Sequence, residues 1–161
     1  MRRRIAGGLL VAFLSIGIAA SQVIGPRFSA FKATTLAGAA EVITIQQPAS
    51  NPKRVRFESA QIYCSVDCVV ELERDGAAAT ATTLTTVDIS KYGSVTATAW
   101  SGSDVGNGTT INFFRISGGK TEPIDLGGLA LAPGGGTGEN LTFRSDSITG
   151  DIEIFIVWRE D

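Results

Sequence analysis

Residues 149–161 read TGDIEIFIVWRED. After the Thr149-Gly150 pair, Ile152, Ile154, Ile156 and Trp158 hold alternate positions, and Glu153, Phe155, Val157 and Arg159 fill the gaps. A period of two sends successive side chains to opposite faces of a pleated strand, so the first set defines a core face. The second set is not purely polar, because Phe155 and Val157 make the strand apolar on both sides. Such a strand is either central in a sandwich or covered by a second subunit, and the sequence leaves both open.

The same period recurs outward from this segment. Leu141 and Phe143 alternate with Thr142 and Arg144, and Ile111, Phe113 and Arg115 with Asn112, Phe114 and Ile116. Val95, Ala97 and Ala99 alternate with Thr96, Thr98 and Trp100. Val66, Cys68, Val70 and Leu72 share one face, with Asp67, Val69, Glu71 and Glu73 on the other. Val55 and Phe57 alternate with Arg54, Arg56 and Glu58. Residues 41–46 and 124–131 add two more runs. Asp75-Gly76, Gly118-Gly119-Lys120, Pro133-Gly134-Gly135-Gly136 and Thr149-Gly150 are turn-forming breaks between them. The abundant Thr suits exposed pleated positions. About eight strands spaced roughly 8–15 residues apart predict an all-β, antiparallel two-sheet sandwich, jelly-roll-like, with no amphipathic helix after residue 40.

This body is expected over residues 41–161, folding alone, with 27–40 (RFSAFKATTLAGAA) as a linker. Ahead of it, residues 1–26 carry Arg2, Arg3 and Arg4 and then no charge until Arg27. The stretch from Ile5 to Ile24 is about long enough to cross a bilayer as a helix. Three roles fit it: a secretory signal with small residues at Ala19, Ala20 and Ser21, an uncleaved membrane anchor, or an arm buried on assembly.

Composition narrows the function classes. The chain has 161 residues, 43% hydrophobic and 19% charged, with 19 Gly, two Cys and no His. The missing His removes His-based triads, His metal sites and an imidazole switch. Fourteen basic residues against sixteen acidic give a net charge of −2 and no nucleic-acid footprint.

The remaining motifs carry little chemistry. On a regular strand Cys64 and Cys68 would stand about 13 Å apart, beyond disulfide reach, so a bridge requires a turn at Ser65, Val66 and Asp67. Two sulfurs without His make an incomplete zinc site. Gly118-Gly119-Lys120-Thr121 ends like a phosphate loop, but Phe114 stands where that loop needs Gly, so a hairpin turn is expected. Asp104 and Asn107 sit in a Gly-rich loop that does not match calcium-loop spacing. Glu71 and Glu73, with Asp67, read as a solvated stripe. No catalytic, cofactor or metal residue is assigned, and the chain is not expected to be an enzyme. Phe113, Phe114, Phe155 and Val157 are the candidate interface residues, being apolar on strands with two apolar faces.

The segments CSVDCVVELERDGAAATATTLTTVDI, VGNGTTINFFRISGGKTEPIDL and GENLTFRSDSITGDIEIFIVWRED together resemble small β-sandwich structural proteins of tailed-phage virions. The resemblance covers about residues 59–161, and the proteins concerned are of the head-decoration, spike and adaptor types. It implies a non-enzymatic bacteriophage structural protein at the virion surface. Its partners would be itself, in a symmetric oligomer such as a trimer, and other virion proteins. The apolar N-terminus departs from a plain decoration protein and implies membrane contact or an anchoring arm. Two other classes fit the same residues. One is an exported, membrane-tethered or secreted envelope module that binds a glycan through Tyr63, Tyr92 and Trp100. The other is an extracellular filament subunit.

Overall fold

The computed structural model describes residues 25–74, 82–91, 93–101, 108–133, 139–146 and 148–161. These contain twelve strands and no helix: β1 (Arg27–Ala37), β2 (Ala40–Gln47), β3 (Val55–Cys64), β4 (Cys68–Arg74), β5 (Thr82–Thr83), β6 (Val87–Asp88), β7 (Thr98–Ser101), β8 (Thr109–Ile116), β9 (Lys120–Asp125), β10 (Ala130–Leu131), β11 (Glu139–Ser145) and β12 (Thr149–Glu160). They form two antiparallel sheets. The first runs β10-β3-β12-β1-β6, with β9 also paired to β3, and the second runs β5-β7-β2-β11-β4-β8. The all-β, two-sheet class read from the alternation is what the chain adopts.

The eight longest described strands pair in a nested way. β1 pairs with β12, β2 with β11, β3 with β9, and β4 with β8. Successive nested pairs fall in alternate sheets, so the chain is a long hairpin wrapped around one core. The core is filled by one face of each sheet. Ile152, Ile154, Ile156 and Trp158 of β12 and Ile62 of β3 are fully buried, as are Ile43, Ile45, Val70, Leu72 and Phe143 of the second sheet. Each such side chain contributes about 1.5–3 kcal/mol relative to exposure, so these residues hold the two sheets together.

The final strand lies between β3 and β1, which places it in the centre of its sheet. That position accounts for its second apolar face at Val157, which is buried. The expected linker at 27–40 is corrected: its first eleven residues form β1, in register with β12 along their whole length. Phe28, Ala30 and Leu36 enter the core, alternating with Arg27, Ser29 and Phe31. The sandwich therefore starts at Arg27, not at 41, and residues 41–161 lack one of its interior strands. Ala37 ends β1 because the chain turns into β2 at Gly38 and Ala39.

Two further differences are local. The run at 124–131 is split into β9 and β10 by a turn in which Leu129 N–H donates to Leu126 O (3.0 Å) and Gly128 has φ +98°. The turn at Gly118-Gly119 is tight, with Gly119 at φ +73°, yet it joins β8 of one sheet to β9 of the other and is not a hairpin. The stretch from Ile5 to Ile24, Asp75-Gly76, Tyr92, Asp104, Asn107 and Gly134-Gly135-Gly136 lie outside the described residues.

Candidate functional site

Among the described residues, β8, TTINFFRI, is an outermost strand of the second sheet and pairs on one side only, with β4. Its inward residues are Phe114, half-buried against the core, and Ile116, buried. Its outward residues are Ile111 and Phe113, the latter 60% exposed. The Phe113 amide turns to the Asn112 side-chain oxygen at 2.8 Å. Arg115 is the only charge on the strand.

The other end strands of the sheets are protected in ways that soluble β proteins commonly use. β5, β6 and β10 are two-residue strands, and β9 (KTEPID) combines three charges with a proline. Short, charged or proline-bearing edges resist pairing with another chain. β1 also lacks a described partner on its outer side from Ala30 to Ala37, since β6 covers only Phe28 and Ser29. Among the described margins, β8 and this part of β1 are therefore the long ones, each with an exposed phenylalanine.

A second apolar surface lies on the outward face of the first sheet. Phe31 stands directly opposite Phe155, which stands opposite Gln61, and Gln61 opposite Pro123. Phe31 is 51% exposed and Phe155 half-buried. The four candidate interface residues therefore do not form one patch. Phe113 stands free at an edge of one sheet, Phe114 beside it turns inward, and Phe155 and Val157 belong to the middle of the other sheet. Phe31 was missed because 27–40 read as a linker. The signal was present in the alternation of Phe28, Ala30 and Leu36 with Arg27, Ser29 and Phe31.

Cys64 and Cys68 are joined by a disulfide, with Cα atoms 6.4 Å apart. The shortening comes from the turn at Ser65–Asp67. Ser65 N–H donates to Asp151 O, Gly119 N–H to Cys64 O, and Gly118 N–H to Asp67 Oδ1, each at 2.8 Å.

The acidic stripe on β4 is not solvated as expected. Arg144 of β11 lies in register between Glu71 and Glu41, and its guanidinium reaches Glu41, Glu71 and Glu73 at 3.8, 3.8 and 3.6 Å. Glu73 is buried. Its burial raises its carboxyl above the ordinary value, Arg144 opposes the rise, and the neighbouring Glu71 and Glu41 charges add to it. One guanidinium shared by three carboxylates holds strands β2, β11 and β4 together.

Tyr63 and Trp100, considered as sugar-stacking residues, do not converge. Tyr63 is half-buried on the outward face of the first sheet, and Trp100 lies beside Thr44 on the second. Among the described residues, no group of His, Cys, Asp and Glu side chains could hold a metal ion, and no helix is long and apolar enough to cross a membrane. Comparisons with family models, with characterised proteins and with solved structures found no match to this chain.

Proposed function

We propose that the chain is a non-enzymatic structural subunit of a bacteriophage virion, of the decoration, spike or adaptor type. Its sandwich would face outward at the virion surface, and the stretch from Ile5 to Ile24 would anchor it. The observation that carries this reading is the contrast between β8 and the short or charged end strands β5, β6, β9 and β10. A long apolar edge with Phe113 exposed is a liability for a free monomer and an asset for a subunit that is covered by a copy of itself.

Two further features support the reading. The nested pairing of the eight long strands supports reading the sandwich as a jelly roll, an architecture that serves viral capsid and lectin domains. The bridged Cys64 and Cys68 suit a protein that works outside a reducing cytosol. An uncharged apolar anchor immediately ahead of β1 in sequence would couple anchoring to an interior strand of the sandwich.

The test is the native mass of the full-length chain, alone and with Phe113→Lys, together with detection of the chain in purified particles. Expected are a closed symmetric oligomer, its loss in Phe113→Lys with the monomer still folded, and the chain present in the particles. A monomer at every concentration, absent from particles, overturns the reading. Open polymers formed by the chain alone would replace it with a filament subunit.

A further inference from the structure

The Phe113 N–H of β8 is donated to the side-chain oxygen of Asn112 at 2.8 Å, so it lies on the free side of the strand and not toward β4. From Asn112 to Ile116 the ladder with β4 is regular, with Glu71 opposite Phe113, Val70 opposite Phe114 and Val69 opposite Arg115. Backbone groups alternate in direction along an antiparallel ladder, so the N–H and C=O of Arg115 are also on the free side. Ile111, at the register shift, has no opposite residue on β4. The regular part of the free edge therefore offers two positions, Phe113 and Arg115.

Those two positions complement each other across a two-fold axis. When two β8 strands run antiparallel with Phe114 opposite the partner's Phe114, Phe113 stands opposite the partner's Arg115, and Arg115 opposite the partner's Phe113. Each of these two pairs can exchange both of its backbone hydrogen bonds. Phe113 and Arg115 are exposed on the outward face of the sheet, so each guanidinium can lie over the ring opposite it. No arginine stands opposite an arginine, the arrangement that would destabilise the ladder.

The row continues in the same sense onto β4, because Glu71 is the residue opposite Phe113. Glu71 and the partner's Arg115 are then two strands apart, with about 10 Å between backbones, a gap that an extended arginine and a glutamate close together. Glu71 shares Arg144 with Glu41 and Glu73, at 3.8, 3.8 and 3.6 Å, and its carboxylate keeps acceptor capacity for a second cation. The other long margin, on β1, is guarded differently. Lys32 falls on its core side in step with Ala30 and Leu36, and an inward charge of this kind opposes edge pairing. Arg115, the one charge on β8, lies outward.

We propose that β8 pairs antiparallel with β8 of a second copy about a two-fold axis at Phe114. Arg115 of each copy crosses Phe113 of the other toward its Glu71, and the second sheets of the two copies become one. Asn112 restrains this pairing, because its side chain holds the Phe113 amide in the free chain and must release it before the partner's carbonyl can accept that hydrogen bond. The inference rests on the reading that a copy of the chain covers β8, and adds the register, the symmetry and the restraint.

The test uses the full-length chain. Opposite residues of a non-hydrogen-bonded pair have Cα atoms about 4.5 Å apart, within disulfide reach. Phe114→Cys should therefore cross-link to itself under oxidation, whereas Asn112→Cys, opposite the partner's Ile116, should not. Phe114 packs against the core, so a second measurement uses the unaltered chain: the Phe113 and Arg115 amides should slow in hydrogen exchange as concentration rises. Arg115→Gln should weaken self-association about tenfold. Asn112→Ala should tighten it about threefold or more. An oligomer that Phe113→Lys disrupts, but that shows neither the Phe114→Cys cross-link nor the amide protection, overturns the pairing and leaves the reading that a copy covers β8 standing. A chain monomeric at every concentration overturns both. Association unchanged or weaker in Asn112→Ala overturns the restraint.

Discussion

Phe28 on β1 and Trp158 on β12 stand opposite one another in register, both fully buried, with ring centroids 6.2 Å apart and planes inclined at 37°. The pair joins the first strand of the sandwich to the last, and a tilted aromatic contact adds to the area that each ring buries. Phe28→Ala is expected to cost about 3–5 kcal/mol in denaturant titration. A chain starting at residue 25 should unfold in one cooperative transition close to that of the full chain. A chain starting at residue 41 should show no such transition, because β12 would lose its partner along eleven residues.

Glu160 is a buried carboxylate that ties the end of β12 to the segment before β7. It accepts the Thr96 amide at 2.9 Å, the Ala97 amide at 2.9 Å and the Thr96 hydroxyl, with Lys53 Nζ at 3.8 Å. Removing it leaves buried donors without an acceptor. Glu160→Ala should therefore lose about 3–5 kcal/mol, and Glu160→Gln less, since the amide keeps one accepting oxygen. Equilibrium unfolding of the two variants checks the order, and equal losses would contradict the role given to the second oxygen.

The disulfide closes only a short loop, so its entropic contribution is limited to about 2 kcal/mol. The hydrogen bonds from Ser65, Gly118 and Gly119 hold the same turn independently. Cys64→Ala with Cys68→Ala should lower stability by no more than about 2 kcal/mol and leave the strand amides protected in hydrogen exchange. Collapse of protection across β3 and β4 would show that the bridge does more than fix the turn.

Glu73 and Asp88 give opposite pH signatures. Burial raises the Glu73 carboxyl above its ordinary 4.5, so the folded state holds that proton more tightly than the unfolded chain does. Its contribution is present below 4.5 and is lost as pH rises through the raised value. Glu73→Gln should flatten the fall in melting temperature as pH rises above 4.5 toward neutrality.

Asp88 is held below its ordinary 3.8, first by the Gly93 amide and then by the Ser90 hydroxyl, with the Lys91 and Ser90 amides adding. Its contribution is present above 3.8 and is lost as pH falls through the lowered value. Hydrogen exchange at the Ser90, Lys91 and Gly93 amides should accelerate as pH falls through that range relative to reference amides in β12. Asp88→Ala should show the faster exchange at every pH.

Some of this was legible in the chain because it depends on neighbours in sequence. Alternation in 152–158 separates Ile152, Ile154, Ile156 and Trp158 from their outward neighbours without reference to any other strand. The same holds for Val70 and Leu72, and the β class follows from such runs. The short separation of Cys64 and Cys68 likewise shows from sequence alone that a bridge needs a turn between them. The pattern failed at 27–40, where Lys32 and Thr34 interrupt the apolar positions and Ala and Gly dilute the rest. Pairing with β12 decides that strand, and that partner lies more than a hundred residues away.

What tertiary structure alone decided is who stands beside whom. A period of two specifies the face on which a side chain lies but says nothing of the strand next to it. Arg27, Arg56 and Arg159 each read as an ordinary polar position, and only the register of β1, β12 and β3 assembles them into a row. The exposure of β8 is of the same kind, since being last in a sheet is a property of the sheet order. Glu73 is buried beside Arg144 of the neighbouring strand β11, Glu71 of its own strand and Glu41 of β2, a grouping that strand order alone creates. In each case local sequence sets the side chain's direction, and long-range strand pairing sets its charge environment and its cover.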